Sequence, residues 1–186
     1  STARNKITLS LTESLSGIDS STVESGDFTV STDQDVTGAT VNGETITLTL
    51  GSELAREATP DVTVAADSIE DMSGNQISEK TVTASDGISP QNPSGIGFTQ
   101  DSVNKDNDEN IDVDVDFDSA PETGDVTLRV DDSDSDGDAL TFTESASQTT
   151  TFSDKDLSSL DDGTLTATAK IVDNSDNTNT NSEGFT

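Results

Sequence analysis

Apolar side chains in this sequence fall on alternate positions in short runs. Ile7, Leu9 and Leu11 alternate with Thr8, Ser10 and Thr12, and Ile46, Leu48 and Leu50 share one parity within the stretch from Thr45 to Leu50. A period of two sends one set of side chains to one face of an extended chain and the other set to the opposite face. The runs are too short to form the apolar stripe of a helix, and Gly, Asn, Asp and Ser clusters separate them, so they read as half-buried strands. This patterning has to outweigh the composition. Leu, Ile, Val and Phe supply only 39 of 186 residues, close to the ~20% level below which a highly charged chain stays unfolded. Ordered alternation decides for a folded all-β protein.

Charge then limits the partners. The chain carries 38 acidic and 8 basic residues, a formal charge of -30. Such a polyanion is repelled by phosphate backbones and anionic headgroups, which excludes nucleic-acid partners and membrane surfaces. No apolar run approaches the ~20 residues of a membrane span, so no membrane insertion is expected. His, Cys, Trp and Tyr are absent, and with them the usual general bases, thiol nucleophiles, zinc ligands and stacking platforms. No enzyme activity is expected. A surface this acidic repels itself in dilute buffer, whereas molar salt shrinks the screening length to ~3 Å. Few Lys, many Asp and a lean core fit adaptation to strong brine.

Two sandwich-sized units are expected. Strands are predicted at residues 7–11, 28–30, 39–41, 45–50, 61–65 and 81–84, with Asn42-Gly43 as a hairpin signal and short helical turns over Ser20 to Glu24 and Ser52 to Ala58. The first domain spans residues 1–87. Two prolines and two glycines between Asp86 and Gly95 mark residues 88–95 as a linker. A second domain, 96–186, has seven predicted strands: 96–100, 111–117, 126–130, 139–143, 149–152, 165–172 and 179–185. Acids and bases number 15 and 4 in residues 1–87 and 23 and 4 in residues 88–186, giving -11 and -19.

The stretch from Ile7 to Val30, followed by Asp71-Met72-Ser73-Gly74-Asn75, resembles the SbsA-type bacterial Ig-like domain, with Ser14 where the family's first turn has Pro. Residues Val130 to Asn177 are similar to the Ig-like repeats of large adhesins, whose closing turn appears here as Asp173-Asn174-Ser175-Asp176-Asn177. The resemblance implies two tandem Ig-like β-sandwich domains of a haloarchaeal cell-surface protein.

The acids suggest hard-cation chemistry. Asp132-Ser133-Asp134-Ser135-Asp136-Gly137 fits D-x-D-x-D-G, in which alternate carboxylates wrap a cation and Gly makes the sharp turn. It is not an EF-hand, because Thr143 stands where a bidentate Glu would be needed. The readings are a specific Ca²⁺ site at Asp132, Asp134, Asp136 and Asp138, or an acidic loop that takes up hydrated cations. Strand order in a seven-stranded sandwich places the connections 101–110, 131–138 and 153–163 at one pole. At the other, Asp173, Asp176 and Asn177 beside Asp86 form a second Ca²⁺ candidate. Asp71 is expected to close a tight turn by accepting backbone N–H groups. Lys6, Lys80, Lys105, Lys155 and Lys170 read as surface ion pairs of small value.

The expected function is a non-catalytic structural module of an extracellular surface protein: a surface layer, stalk or adhesin. Its partners would be neighbouring domains or copies of the same protein. With no leader or wall anchor between Ser1 and Thr186, the chain reads as two beads of a longer string. The rivals are a filament subunit assembled by strand exchange and an accessory domain of a secreted hydrolase.

Overall fold

The computed structural model describes residues 4–11, 17–32, 34–100, 102–121, 123–132, 139–161 and 163–185. These form antiparallel sheets, with a single 3-10 turn, Ser25–Asp27, as the helical element among them. The chain divides into two units, residues 1–88 and 89–186.

In the first unit, β1 (Lys6–Ser10), β4 (Thr45–Leu50) and β3 (Val36–Asn42) form one sheet in the order β1-β4-β3. The facing sheet, β2-β5-β6, contains β2 (Phe28–Val30), β5 (Asp61–Val64) and β6 (Lys80–Thr83). The alternation in β4 is realised directly: Ile46, Leu48 and Leu50 are buried and meet Phe28, Val30, Val62 and Val64 from the other sheet. The hairpin lies one residue later than Asn42-Gly43. Asn42 pairs with Thr45, leaving Gly43-Glu44 as the loop, and of these two only Gly43 has positive φ, +62°. That is the signature of a II′ turn, which wants Gly at its first central position. Each predicted helical turn is reduced to a single hydrogen-bonded turn, the Thr22 N–H donating to the Asp19 carbonyl at 3.1 Å and the Ala58 N–H to the Ala55 carbonyl at 3.2 Å, and neither extends into a helix. From Ser52 to Ala58, Gly51 and Pro60 leave fewer than two turns, too few to offset nucleation. The Leu54 N–H instead donates to the Arg4 carbonyl at 2.9 Å.

The second unit pairs a sheet ordered β11-β8-β7 with one ordered β10-β9-β12-β13. Its strands are β7 (Pro93–Phe98), β8 (Ile111–Phe117), β9 (Asp125–Asp131), β10 (Leu140–Ser145), β11 (Thr149–Lys155), β12 (Leu165–Val172) and β13 (Thr178–Phe185). Strand β7 begins at Pro93, inside the segment read as linker. Pro lacks an N–H and is tolerated at the first residue of a strand on a sheet edge. Inward residues of β8, β9 and β12, among them Val113, Leu128 and Ala167, are fully buried in one core around Phe152.

Both flanks of this sandwich are closed by inward-phase residues of edge strands. On one, Phe98 of β7 and Phe185 of β13 stack edge-to-face with centroids 4.4 Å apart. On the other, β11 carries a bulge. Phe152 pairs with Val113 but Lys155 pairs with Ile111, so three steps on β11 match two on β8. The extra residue turns Lys155 to the core side. Asp154 takes φ +53°, and its N–H is held by Asp112 Oδ1 at 2.8 Å. Lys155 Nζ then lies 3.2 Å from Glu144 of β10 and 5.5 and 5.9 Å from the ring centres of Phe142 and Phe152. Lys155 therefore departs from the expected surface ion pair: it is half-buried and ties one sheet to the other.

Candidate functional site: acidic loops and carboxylate-closed turns

Four connections spend carboxylates on holding the backbone. Asp71 is buried, and its Oδ1 accepts the Ser73 and Asn75 N–H groups, both at 2.8 Å, while Oδ2 accepts Asn75 Nδ2 at 2.8 Å. Asp173 repeats this in the second unit, accepting Ser175 N–H at 2.9 Å, Asn177 N–H at 2.8 Å and Asn177 Nδ2 at 3.0 Å. The backbone matches as well. Gly74 and Asp176 donate to the carbonyls of Asp71 and Asp173 at 2.9 and 3.2 Å, and both hold positive φ, +80° and +64°. A smaller pair of caps also recurs. Asp19 accepts the Ser21 N–H and hydroxyl at 2.9 and 2.7 Å, and Asp156 accepts those of Ser158 at 3.0 and 2.6 Å. In both, the serine hydroxyl first and its N–H second hold the carboxyl below its ordinary pKa.

At one end of the second unit, three connections are joined. The Leu157 N–H donates to the Asp108 carbonyl at 2.7 Å, and the Asp161 N–H to Asp132 Oδ2 at 3.0 Å. The loops after β7, β9 and β11 thus meet there. Asp132, just beyond β9, is buried and is the described member of the D-x-D-x-D-G run; Asp134, Asp136 and Asp138 lie outside the described residues.

The second candidate set is distributed over both units. Asp86 belongs to the first, where its Oδ1 accepts the Ile88 N–H at 2.9 Å. Asp173, Asp176 and Asn177 share one turn of the second, with Asp176 exposed. The turn directs an amide donor, Asn177 Nδ2, at Asp173 Oδ2 and two N–H groups at Oδ1, so much of that carboxylate's acceptor capacity serves its own loop.

One acidic feature escaped the sequence analysis. Asp112, Asp114 and Asp116 alternate with the buried Ile111, Val113, Val115 and Phe117, which aligns three carboxylates along the outer face of β8. Thr151 and Thr149 of β11 donate to Asp114 and Asp116 at 2.6 Å, and Gly97 and Gly95 flank them on β7. The period of two that located the strand also locates this column. Chemically, all these groups accept N–H or O–H donors and suit hard, oxygen-loving cations.

The two units are Ig-like in their sandwich architecture, and sequence comparison agrees for the first of them. Residues 1–89 match the bacterial Ig-like domain. That is a non-catalytic type of domain. Among solved structures, the chain is similar to the N-terminal part of the bacterial S-layer protein SbsC, with 13% identity and a TM-score of 0.42. The match covers 98% of this chain and 41% of that one, so the chain spans less than half of its length. No curated protein matches the sequence. No helix among the described residues is long and apolar enough to cross a membrane.

Proposed function

We propose that the chain is a non-catalytic structural segment of an extracellular surface protein, adapted to high salt and stiffened by Ca²⁺. The observation that carries this reading is the repetition of one device in successive units: a sandwich whose return loop is closed by a buried Asp, Asp71 and then Asp173. Repeated small sandwiches suit a load-bearing array, where each unit supplies length and stiffness and its loops meet whatever comes next. The acidic surface supports the salt reading, since counterions at high concentration remove the self-repulsion of a -30 chain.

Calcium would be held at the loop end where Asp132 is already buried. Ca²⁺ needs 6–8 oxygens, so Asp132 and the 133–138 loop require help from adjoining loops. Two measurements test the reading. Strand circular dichroism of the full chain should fall in dilute, divalent-free buffer and return in molar KCl or millimolar Ca²⁺; a fold and melting temperature indifferent to salt would end the brine reading. Calorimetry in high KCl should show saturable Ca²⁺ heat that Asp134→Asn with Asp136→Asn removes, and a flat titration of the parent chain would end the calcium reading.

A further inference from the structure

The sequence contains eleven asparagines, and the fold treats one of them differently from the rest. Asn75 and Asn177 give their amides to the buried Asp71 and Asp173, Asn107 and Asn179 donate to the carbonyls of Ser102 and Pro90, and Asn104 Oδ1 accepts the Asp106 N–H. Asn92 precedes Pro93, whose nitrogen carries no hydrogen. Asn42, in contrast, sits exposed at the end of β3 and is followed by Gly43, the only such pair in the sequence. Every other asparagine precedes a residue whose side chain crowds the next main-chain nitrogen.

The hairpin leaves the Gly43 nitrogen reachable. The β3–β4 ladder ends on the Asn42–Thr45 pair, so the Gly43 N–H belongs to the loop. Residues 42–44 are all exposed, and no atom beyond its chain neighbours lies within 4 Å of where a Cβ would stand on Gly43. Joining this nitrogen to Asn42 Cγ closes a five-membered ring and requires only rotation within Asn42, the last residue of its strand. The Val41–Ile46 pair behind it holds the strands together meanwhile. An intramolecular nucleophile at this separation acts at high effective concentration.

We propose that Asn42-Gly43 is a self-modifying site at which the asparagine amide is lost to water. The Gly43 nitrogen gives its proton to hydroxide and attacks Asn42 Cγ. The N–Cγ bond forms, the Cγ–Nδ2 bond breaks, and the leaving nitrogen takes a proton from water and departs as ammonia, regenerating the hydroxide. Water then opens the cyclic imide at one of its two carbonyls. Addition at Cγ breaks the bond just made and leaves aspartate at position 42; addition at the main-chain carbonyl breaks the original peptide C–N bond and leaves iso-aspartate. The sum is amide plus water to carboxylic acid plus ammonia, with nothing oxidised or reduced. Both products add a negative charge beside Glu44. Iso-aspartate also lengthens the main chain by one atom, which a two-residue II′ loop does not accommodate, so that product loses the open end of the β3–β4 pairing. This assignment is independent of the salt and calcium readings.

The test incubates the full chain at mildly alkaline pH in a buffer where circular dichroism shows it folded. Released ammonia is assayed, and peptide mass mapping follows each asparagine separately. Position 42 should convert first, at a rate within about thirtyfold of that of the unstructured synthetic peptide Thr-Val-Asn-Gly-Glu-Thr in the same buffer. Asn42→Gln, which would have to close a six-membered ring, should cut ammonia release by about tenfold or more. The residue map of the parent chain decides the matter even if that variant misfolds. A folded chain slower than the peptide by more than about thirtyfold would mean that the hairpin shields the site, and overturns the proposal. So does equal conversion at Asn110, Asn174 or Asn181.

Discussion

Asp71 and Asp173 hold their turns with the same three donors, yet the left-handed position is filled by Gly74 in one unit and Asp176 in the other. The carboxylate is thus the part the turn cannot do without. Left-handed backbone costs an L-residue roughly 1 kcal/mol, less for Asp or Asn, and Gly removes that cost. Losing three hydrogen bonds to a buried carboxylate would cost several times more. The same contrast extends to the flanks. The second unit seals both of its own with side chains, while on the β6 edge of the first Val82 is 39% exposed. Two sandwiches with a common plan have been finished differently at their margins.

The largest expected effect comes from withdrawing salt. With -19 against -11, the second unit should lose structure first, melting about 10 °C or more below the first in dilute buffer. Amide-resolved NMR melts in falling KCl would show this, and simultaneous loss would mean that charge density does not set the order. Next come the turns. Asp71→Ala and Asp173→Ala should each cost about 3 kcal/mol by urea unfolding. Agreement within about 1 kcal/mol would mark them as one device.

Removing the inter-sheet tie by Lys155→Met keeps the aliphatic stem but loses the ion pair and ring contacts. It should cost about 1–2 kcal/mol, confined to the second unit's transition. Smaller still, Asp176→Gly should stabilise by about 0.5–1 kcal/mol, and Gly74→Asp should destabilise by a similar amount. Equal and opposite shifts in urea midpoint would confirm that the two turns differ only in backbone cost.

The last comparison is acid titration of the Ser21→Ala, Ser158→Ala double variant. Asp19 and Asp156 carry lowered pKa values, so their hydrogen bonds stabilise the fold above the ordinary carboxyl value of 3.8 and are lost as pH falls through the lower folded value. The gap between variant and parent should therefore be present at neutral pH and close in acid.

Much of this architecture is legible from residue parity. The runs that became β4, β8 and β12 show alternating burial because one parity is aliphatic and the other polar. The same rule placed Asp112, Asp114 and Asp116 in one column, which a search for acids within loops passed over. Parity could not reveal the bulge in β11. It depends on one inserted residue and on an acceptor, Asp112, 42 positions away. That inserted residue alone sends Lys155 inward. The hairpin after β3 slipped by one residue because Asn42 and Gly43 both tolerate positive φ, and only cross-strand pairing decides which residues form the loop. The calcium-like spacing named ligand types, but a coordination shell needs several loops, and local sequence does not encode how they converge.

Lys155 differs from the other four lysines, which are exposed, in lying half-buried over two rings. An amine-directed acylating reagent would modify Lys6, Lys80, Lys105 and Lys170 quickly, but Lys155 only when the β10–β11 side parts. The labelling rate at this one position therefore acts as a clock for breathing of the second sandwich, read by peptide mass.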